Sequence, residues 1–491
     1  MRSAGILLHI TSLPSPYGIG TLGKSAYEFV DFLKEAGQTY WQILPINPTG
    51  FGNSPYQPLS SYAGNPYFID LDMLVEDGLL KKREITSIKW FKDETKVDFG
   101  LLYNNRFKVL KLACERLEQL HPSDYFDFFE EEKSWLIDYA TFMAIKDERN
   151  GESWTKWPQE LRNHHSHEVK EKAFELRDSI LFYERMQYLF YKQMKKLKKY
   201  ANDSHIKIIG DLPFYIAQDS SDVWVDPEQF DVDENYTMRY VSGFPDGQKW
   251  GNPLIDWNKQ KETGYAWWID RCKQAFKSCD VLRIDHFQGY HSYYAVPFVG
   301  ESKDGHWVNG PGLEPFHKLE EVLGKKEIIL EDLGNLNDEF KKMIKESGYP
   351  GMRILEYAFD PQDPYSLYMP FQHERNSVCY TGTHDNNTIM GWLHDSNEKA
   401  RIERVKEYLN IKNDKDFNES ILKCAYGSVC DICIVQLQDI LGLDENYRMN
   451  DPQHYESSWT YRCTSKDMKQ KLSKSLEHLM KLYGRYNWDN E

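Results

Sequence analysis

The chain has 491 residues with a formal net charge of −16 and a pI near 5.5; 41% of its residues are hydrophobic and 28% charged. That apolar share supports a sizeable core and argues against disorder, and the length suits about three domains or one large barrel with insertions. An acidic surface repels a phosphate backbone, which argues against nucleic acid as a partner, and no run approaches the ~18 apolar residues of a membrane span.

The segment GILLHI (5–10) reads as the first strand, and the opening MRSAGILLHITSLP is too short and broken for a signal peptide, so a cytoplasmic protein is expected. Gly18, Gly20 and Gly23 in the loop after it do not have the spacing of a phosphate-binding fingerprint. Ser25 then caps a helix with Ala26, Phe29, Val30 and Leu33 on one face and Gly37 at its end. TYWQILPI (39–46) reads as the second strand, and the long polar-aromatic loop 47–67 behind it suits function more than linkage. From 70 to 200 the apolar spacing turns helical, at 103–120, 133–148 and 169–199. His164, His165 and His167 sit there in a polar loop and make a poor metal site.

Strand three is IKIIGDLPFYIA (206–217), with Asp211 at its end, where a turn cap is the alternative role. In PDGQKWGNPLIDW (245–257) two glycines flank Gln248, Lys249 and Trp250, which suits a mobile lid with an aromatic platform. The helix 265–276 leads to strand four, VLRI, then strand five at 326–335, six at 351–359, seven at 377–385 and eight near 431–441. A closing helix, 466–483, places Met468, Leu472, Leu476 and Leu479 on one face. This order predicts a (β/α)8 TIM barrel with a helical insertion: barrel start at 1–69, insertion at 70–200, the rest of the barrel at 201–491. The eight cysteines hold one CxxC, Cys430 and Cys433, in an apolar run; buried free thiols fit better than a zinc site.

Three strands end in carboxylates: VLRIDHFQGY (281–290) in Asp285, KEIILEDLGN (326–335) in Glu331 and Asp332, and SVCYTGTHDNNT (377–388) in His384 and Asp385. Arg283, two residues before Asp285, shares its side of the strand and would keep that carboxylate ionised; a structural ion pair at a strand end fits this spacing equally well. Acids at several strand ends are how a barrel collects an active site. They also match α-glucoside chemistry, in which one carboxylate attacks, one acid protonates the leaving oxygen and a third group grips the sugar. The 14 Trp, 32 Tyr and 25 Phe supply rings on which sugar faces stack, although most must fill the core.

These three motifs resemble those of the α-amylase superfamily, and NSPYQP (53–58), GQKWGNP (247–253) and YRMNDPQ (447–453) resemble its amylomaltase (4-α-glucanotransferase) branch. The resemblance implies Asp285 as nucleophile, Glu331 as acid and base, and Asp385 as the residue gripping the ring. It places Ser54, Tyr56 and Asp211 in the sugar site, Gln248 and Trp250 on the acceptor side, and His384 beside Arg283 against the ring. It implies lid loops near 243–257 and 447–453. It also implies malto-oligosaccharides, maltose and glucose as partners, no metal or organic cofactor, and a monomer or weak homo-oligomer. Retention predicts Asp285 and Glu331 about 5–5.5 Å apart, with a raised pKa on Glu331. A hydrolase of the amylase type, or a saccharide-binding protein without turnover, are the competing expectations.

Overall fold

A computed structural model describes residues 2–50, 52–334, 336–451 and 458–490. Eight parallel strands close a barrel: β1 (Ser3–Leu7), β2 (Tyr40–Gln42), β3 (Lys207–Leu212), β6 (Val281–Ile284), β9 (Glu327–Leu330), β10 (Gly351–Ile354), β11 (Ser377–Tyr380) and β12 (Ile432–Gln436). They are ordered β1-β12-β11-β10-β9-β6-β3-β2 around the ring. A second sheet is antiparallel, with β4 (Tyr240–Gly243), β5 (Lys249–Pro253), β7 (Ser292–Pro297) and β8 (His306–Asn309) in the order β5-β4-β7-β8.

Side-chain alternation divides the barrel residues into two cores. Leu7, Tyr40, Ile209, Val281, Ile329, Met352, Val378, Tyr380 and Ile434 fill the interior. Ile6, Trp41, Ile208, Leu282 and Ile328 pack outward against helices. Two residues beyond the inward Ile209, Val281 and Ile329 stand Asp211, Arg283 and Glu331. The period of two that buries the apolar layer therefore delivers a charged layer at the C-terminal mouth. In-register pairing of Asp211 with Arg283 across β3 and β6 fixes their height.

Between β2 and β3 run the long helices Phe99–Leu120, Ser123–Glu148 and Arg177–Asp203. The last of these fastens the loop after β2 by side-chain amides. Gln187 Oε1 accepts from Gly64 N (2.7 Å) and its Nε2 donates to Gly64 O (2.9 Å). Gln193 does the same for Asp70, at 2.6 and 3.1 Å. A loop that crosses a barrel mouth needs such partners for its backbone groups.

Several elements differ from the sequence reading. The first helix starts at Lys24 with Gly23, not Ser25, at its N-cap. A Cβ on residue 23 would lie 2.1 Å from Asp70 Cγ, so the turn into the helix occurs where no side chain fits. The stretch 169–199 is two helices, His167–Glu175 and Arg177–Asp203. The eighth strand ends at Gln436 and Leu437–Leu441 is helical. The closing helix is Gln470–Leu482, so Met468 precedes it, and Leu476 and Met480 are its buried apolar residues.

The segment 245–257 contains the turn and second strand, β5, of a hairpin whose first strand, β4, pairs with β7. Lys249 Nζ reaches across to the carbonyls of Pro297, Phe298 and Gly300 at 3.1, 2.7 and 3.0 Å, which pins the hairpin tip to its neighbour. Of the second expected lid, 447–453, Pro452 and Gln453 lie outside the described residues.

Among the described residues no helix is long and apolar enough to cross a membrane. Among them too, no group of three His, Cys, Asp or Glu is placed to hold a metal ion, and His164 pairs with Asp138 at 3.0 Å. The cysteines are free thiols, with Cys430 and Cys433 buried.

Candidate active site

Arg283 is the hub of the barrel mouth. Its side chain is 2% exposed. Nη1 contacts Asp211 Oδ1 and Oδ2 at 2.7 and 2.6 Å and Asp285 Oδ1 at 3.3 Å, while Nη2 meets Glu331 Oε1 at 3.0 Å. A planar guanidinium can serve three carboxylates from one position, which a point charge cannot. The main ion pair of Arg283 is thus with Asp211, and its contact with Asp285 is the longer one.

Backbone turns aim the other two acids. Asp285 follows β6, held by its N–H to Leu212 O (3.1 Å), and its Oδ2 accepts from Phe214 N at 3.4 Å. His286 takes a left-handed conformation, φ 45°, and its N–H donates to Glu331 Oε2 at 2.6 Å. The Asp285 and Glu331 carboxyls act on one another electrostatically, and the Arg283 guanidinium reaches both.

The charge assignment also differs from the expectation. Burial, then the Glu331 charge, raise Asp285 well above the usual carboxylate range, and Arg283 only partly offsets them. Burial also pushes Glu331 up, but Arg283 and the His286 N–H outweigh it and hold Glu331 below its ordinary value. The sequence reading had Glu331 as the carboxyl that is raised. Burial lowers His286 to about 4, so its imidazole is neutral at pH 7.

Asp385 approaches from the turn after β11. It is the most open of the three acids, with its side chain 42% exposed. Asn450 Nδ2 donates to Asp385 Oδ1 at 2.6 Å, Arg448 Nη2 to Asp385 O at 3.0 Å, and His384 Nε2 lies 3.2 Å from Asp385 Oδ2. Tyr56 stacks flat on His384, with ring centroids 5.1 Å apart and planes 6° apart, and its hydroxyl donates to Asp211 Oδ2 at 2.8 Å. Trp459 closes against both rings at about 6 Å.

Trp250 stands across the mouth with its ring edge-on to His286 at 5.1 Å, and its Nε1 donates to Gln248 Oε1 at 2.9 Å. Tyr56, Asp211, Arg283, Asp285, Glu331, His384 and Asp385 thus form one connected cluster, and Trp250 joins it through His286. Ser54 and Gln248 stand apart. Ser54 Oγ accepts from Tyr56 N at 3.3 Å, bracing the turn, and the exposed Gln248 bonds within its own hairpin to Asp246 and Trp250.

Sequence reasoning named no role for His286, Asn450, Trp459, Asn252 or Gln57. Asn450, Asn252 and Gln57 lie inside the quoted motifs and His286 beside Asp285, so proximity was the available signal. Trp459 carried none.

The family model for 4-alpha-glucanotransferase matches residues 8–468. A 4-alpha-glucanotransferase of Clostridium butyricum is 41% identical over 487 residues, covering 97% of this chain and all of the relative. The structure of an amylomaltase from Streptococcus agalactiae in complex with acarbose superposes with a TM-score of 0.95 at 36% identity, covering 99% of this chain and all of that one. An amylomaltase from Corynebacterium glutamicum, 17% identical with a TM-score of 0.77, shares the fold, covering 99% of this chain and 75% of that one. The acids at the barrel mouth lie within a match that spans almost the whole chain, which belongs to the 4-alpha-glucanotransferase family.

Proposed function

We propose that the site transfers α-1,4-glucan segments between malto-oligosaccharides by retaining double displacement, with glucose and maltose among the acceptors. The observation that carries this reading is the Asp285–Glu331 pair under one guanidinium, a nucleophile and a proton carrier within reach of one bond. Family membership and the match to an amylomaltase solved with acarbose support it.

With a glycosidic oxygen beside it, Glu331 carries the proton and Asp285 is ionised. Asp285, ionised and still facing Arg283, attacks the anomeric carbon. The C1–O bond breaks, Glu331 protonates the departing 4-oxygen, and a glycosyl ester forms on Asp285. The incoming sugar's 4-hydroxyl then gives its proton to Glu331 and bonds to C1, which releases Asp285. Asp385, His384 and Tyr56 hold the ring, and hydrogen bonds to Asp385 strengthen as positive charge develops on it. Trp250 offers a stacking face to the acceptor.

Incubation with maltotriose tests the reading. Transfer yields glucose and a ladder of longer oligosaccharides with no gain in reducing ends. Release of maltose and glucose without a ladder would mean hydrolysis, and unchanged maltotriose would mean binding alone; either result refutes the proposal.

A further inference from the structure

Two side-chain amides join the segments that flank the mouth. Gln57 Nε2 donates to Asn252 Oδ1 at 2.9 Å, and Asn252 Nδ2 donates back to Gln57 Oε1 at 3.1 Å. Asn252 is 4% exposed, and its amide is saturated: Nδ2 also donates to Ile216 O at 2.8 Å, and Oδ1 also accepts from Ser242 Oγ at 3.3 Å. Gln57 Nε2 lies a further 3.4 Å from Trp250 O. A reciprocal carboxamide pair both donates and accepts at each end, so it fixes separation and orientation together. It carries no charge, so neither pH nor salt weakens it.

The position of this pair gives it meaning. Gln57 follows Tyr56, whose ring lies on His384 and whose hydroxyl reaches Asp211. Asn252 stands two residues along β5 from Trp250, whose ring meets His286. One end of the link is the ring clamp of the donor side, and the other is the stacking face of the acceptor side. These segments lie on different parts of the fold: the first is fastened to the helix Arg177–Asp203, the second belongs to the antiparallel sheet. Of the polar contacts between Gln57 and the hairpin, the two strongest are those of the amide pair.

We propose that the Gln57–Asn252 pair is a positioning clasp that sets Trp250 against Tyr56 and so favours a sugar hydroxyl over water as the acceptor. The proposal rests on the transfer reading above. The acceptor's 4-hydroxyl must meet the anomeric carbon at a defined angle, and a small displacement of its platform lowers its effective concentration steeply. Water needs no platform, so loss of the clasp penalises transfer more than hydrolysis.

The test uses the full chain with Q57A, N252A and the double variant, acting on maltotriose with and without added glucose. Ladder formation reports transfer, and new reducing ends report hydrolysis. Q57A is expected to lower the transfer-to-hydrolysis ratio about five- to tenfold, the scale of one or two lost neutral hydrogen bonds, and to raise the acceptor KM more than it changes kcat. The double variant should be no worse in this ratio than N252A, because the two residues act as a unit. Should N252A fail to fold, Q57A and Q57L decide, since Gln57 is only partly buried. An unchanged ratio, or transfer and hydrolysis falling in equal proportion, overturns the clasp. A wild-type protein that makes no ladder sinks the transfer reading with it, whereas a transferring wild type with unchanged variants sinks the clasp alone.

Discussion

On one side of the mouth, Asp211, Arg283 and Glu331 arrive by strand register, each two residues beyond an inward apolar side chain of the barrel. On the other, Trp250 and Gln248 ride on a hairpin held by the β4–β7 ladder, by Lys249 to the end of β7, and by side-chain amides to the loop after β2. The first arrangement can shift only if the barrel shifts, because every charged group in it is held by backbone pairing as well as by Arg283. The second belongs to the separate antiparallel sheet and meets the loop after β2 through the amide pair. Bond-making groups thus stand at the ends of barrel strands, and the groups proposed to select the acceptor stand on a second sheet. Variants on the two sides should therefore fail differently.

The largest expected effect is at Asp285. D285N should lower turnover at least about 10³-fold, with substrate still bound, because a neutral amide cannot form the glycosyl ester. Single-turnover release of glucose from maltotriose measures this, and substantial residual activity would remove the nucleophile assignment. Next comes D385N, expected to lower kcat about 10²-fold with little change in KM, as befits bonds that strengthen only in the transition state. A pure KM effect would make Asp385 a ground-state binding group. Across the mouth, W250A should leave the first displacement nearly intact and lower the transfer-to-hydrolysis ratio about tenfold. If W250A instead lowers kcat for both outcomes alike, the division between the two sides fails.

The smallest effect concerns Glu356, beneath the turn that carries His384 and Asp385; its Oε1 accepts from Asn387 N at 3.4 Å. Burial, then the Asp439 charge, raise it to about 8, with Arg448 opposing and Glu398 adding. The unfolded chain releases this proton near 4.5 while the folded chain keeps it to about 8, so folding binds a proton in that window and stability falls as pH rises through it. E356Q should match the wild type in Tm near pH 4.5 and exceed it by ~1–4 °C at pH 8. Equal Tm values at both pH values would show that the carboxyl is not held neutral.

The contrast between the two sides also explains what could be read in advance. The (β/α)8 order and the three carboxylates were legible because apolar strands broke into acids at matching ends, and a period of two says which way each side chain points. The antiparallel sheet escaped because PDGQKWGNP is polar and glycine-rich, although SYYAVP in β7 carried the β-branched and aromatic signal of a strand. The opposite directions in which Asp285 and Glu331 are shifted were not legible at all. Glu331 is lowered by Arg283 and then by the His286 N–H, and that N–H is aimed by a left-handed turn at His286 with no counterpart in the sequence pattern. Gln57 and Asn252 lay in quoted motifs, but a pairing across 195 positions has no local pattern.

The most direct measurement of the central claim is to trap the glycosyl-enzyme with a fluorinated glucosyl fluoride and locate the label by peptide mass mapping. The account predicts one sugar esterified to the peptide carrying Asp285, formed in the wild type and absent from D285N. A label on another carboxylate, or turnover with an inverted anomeric product and no label, would contradict it.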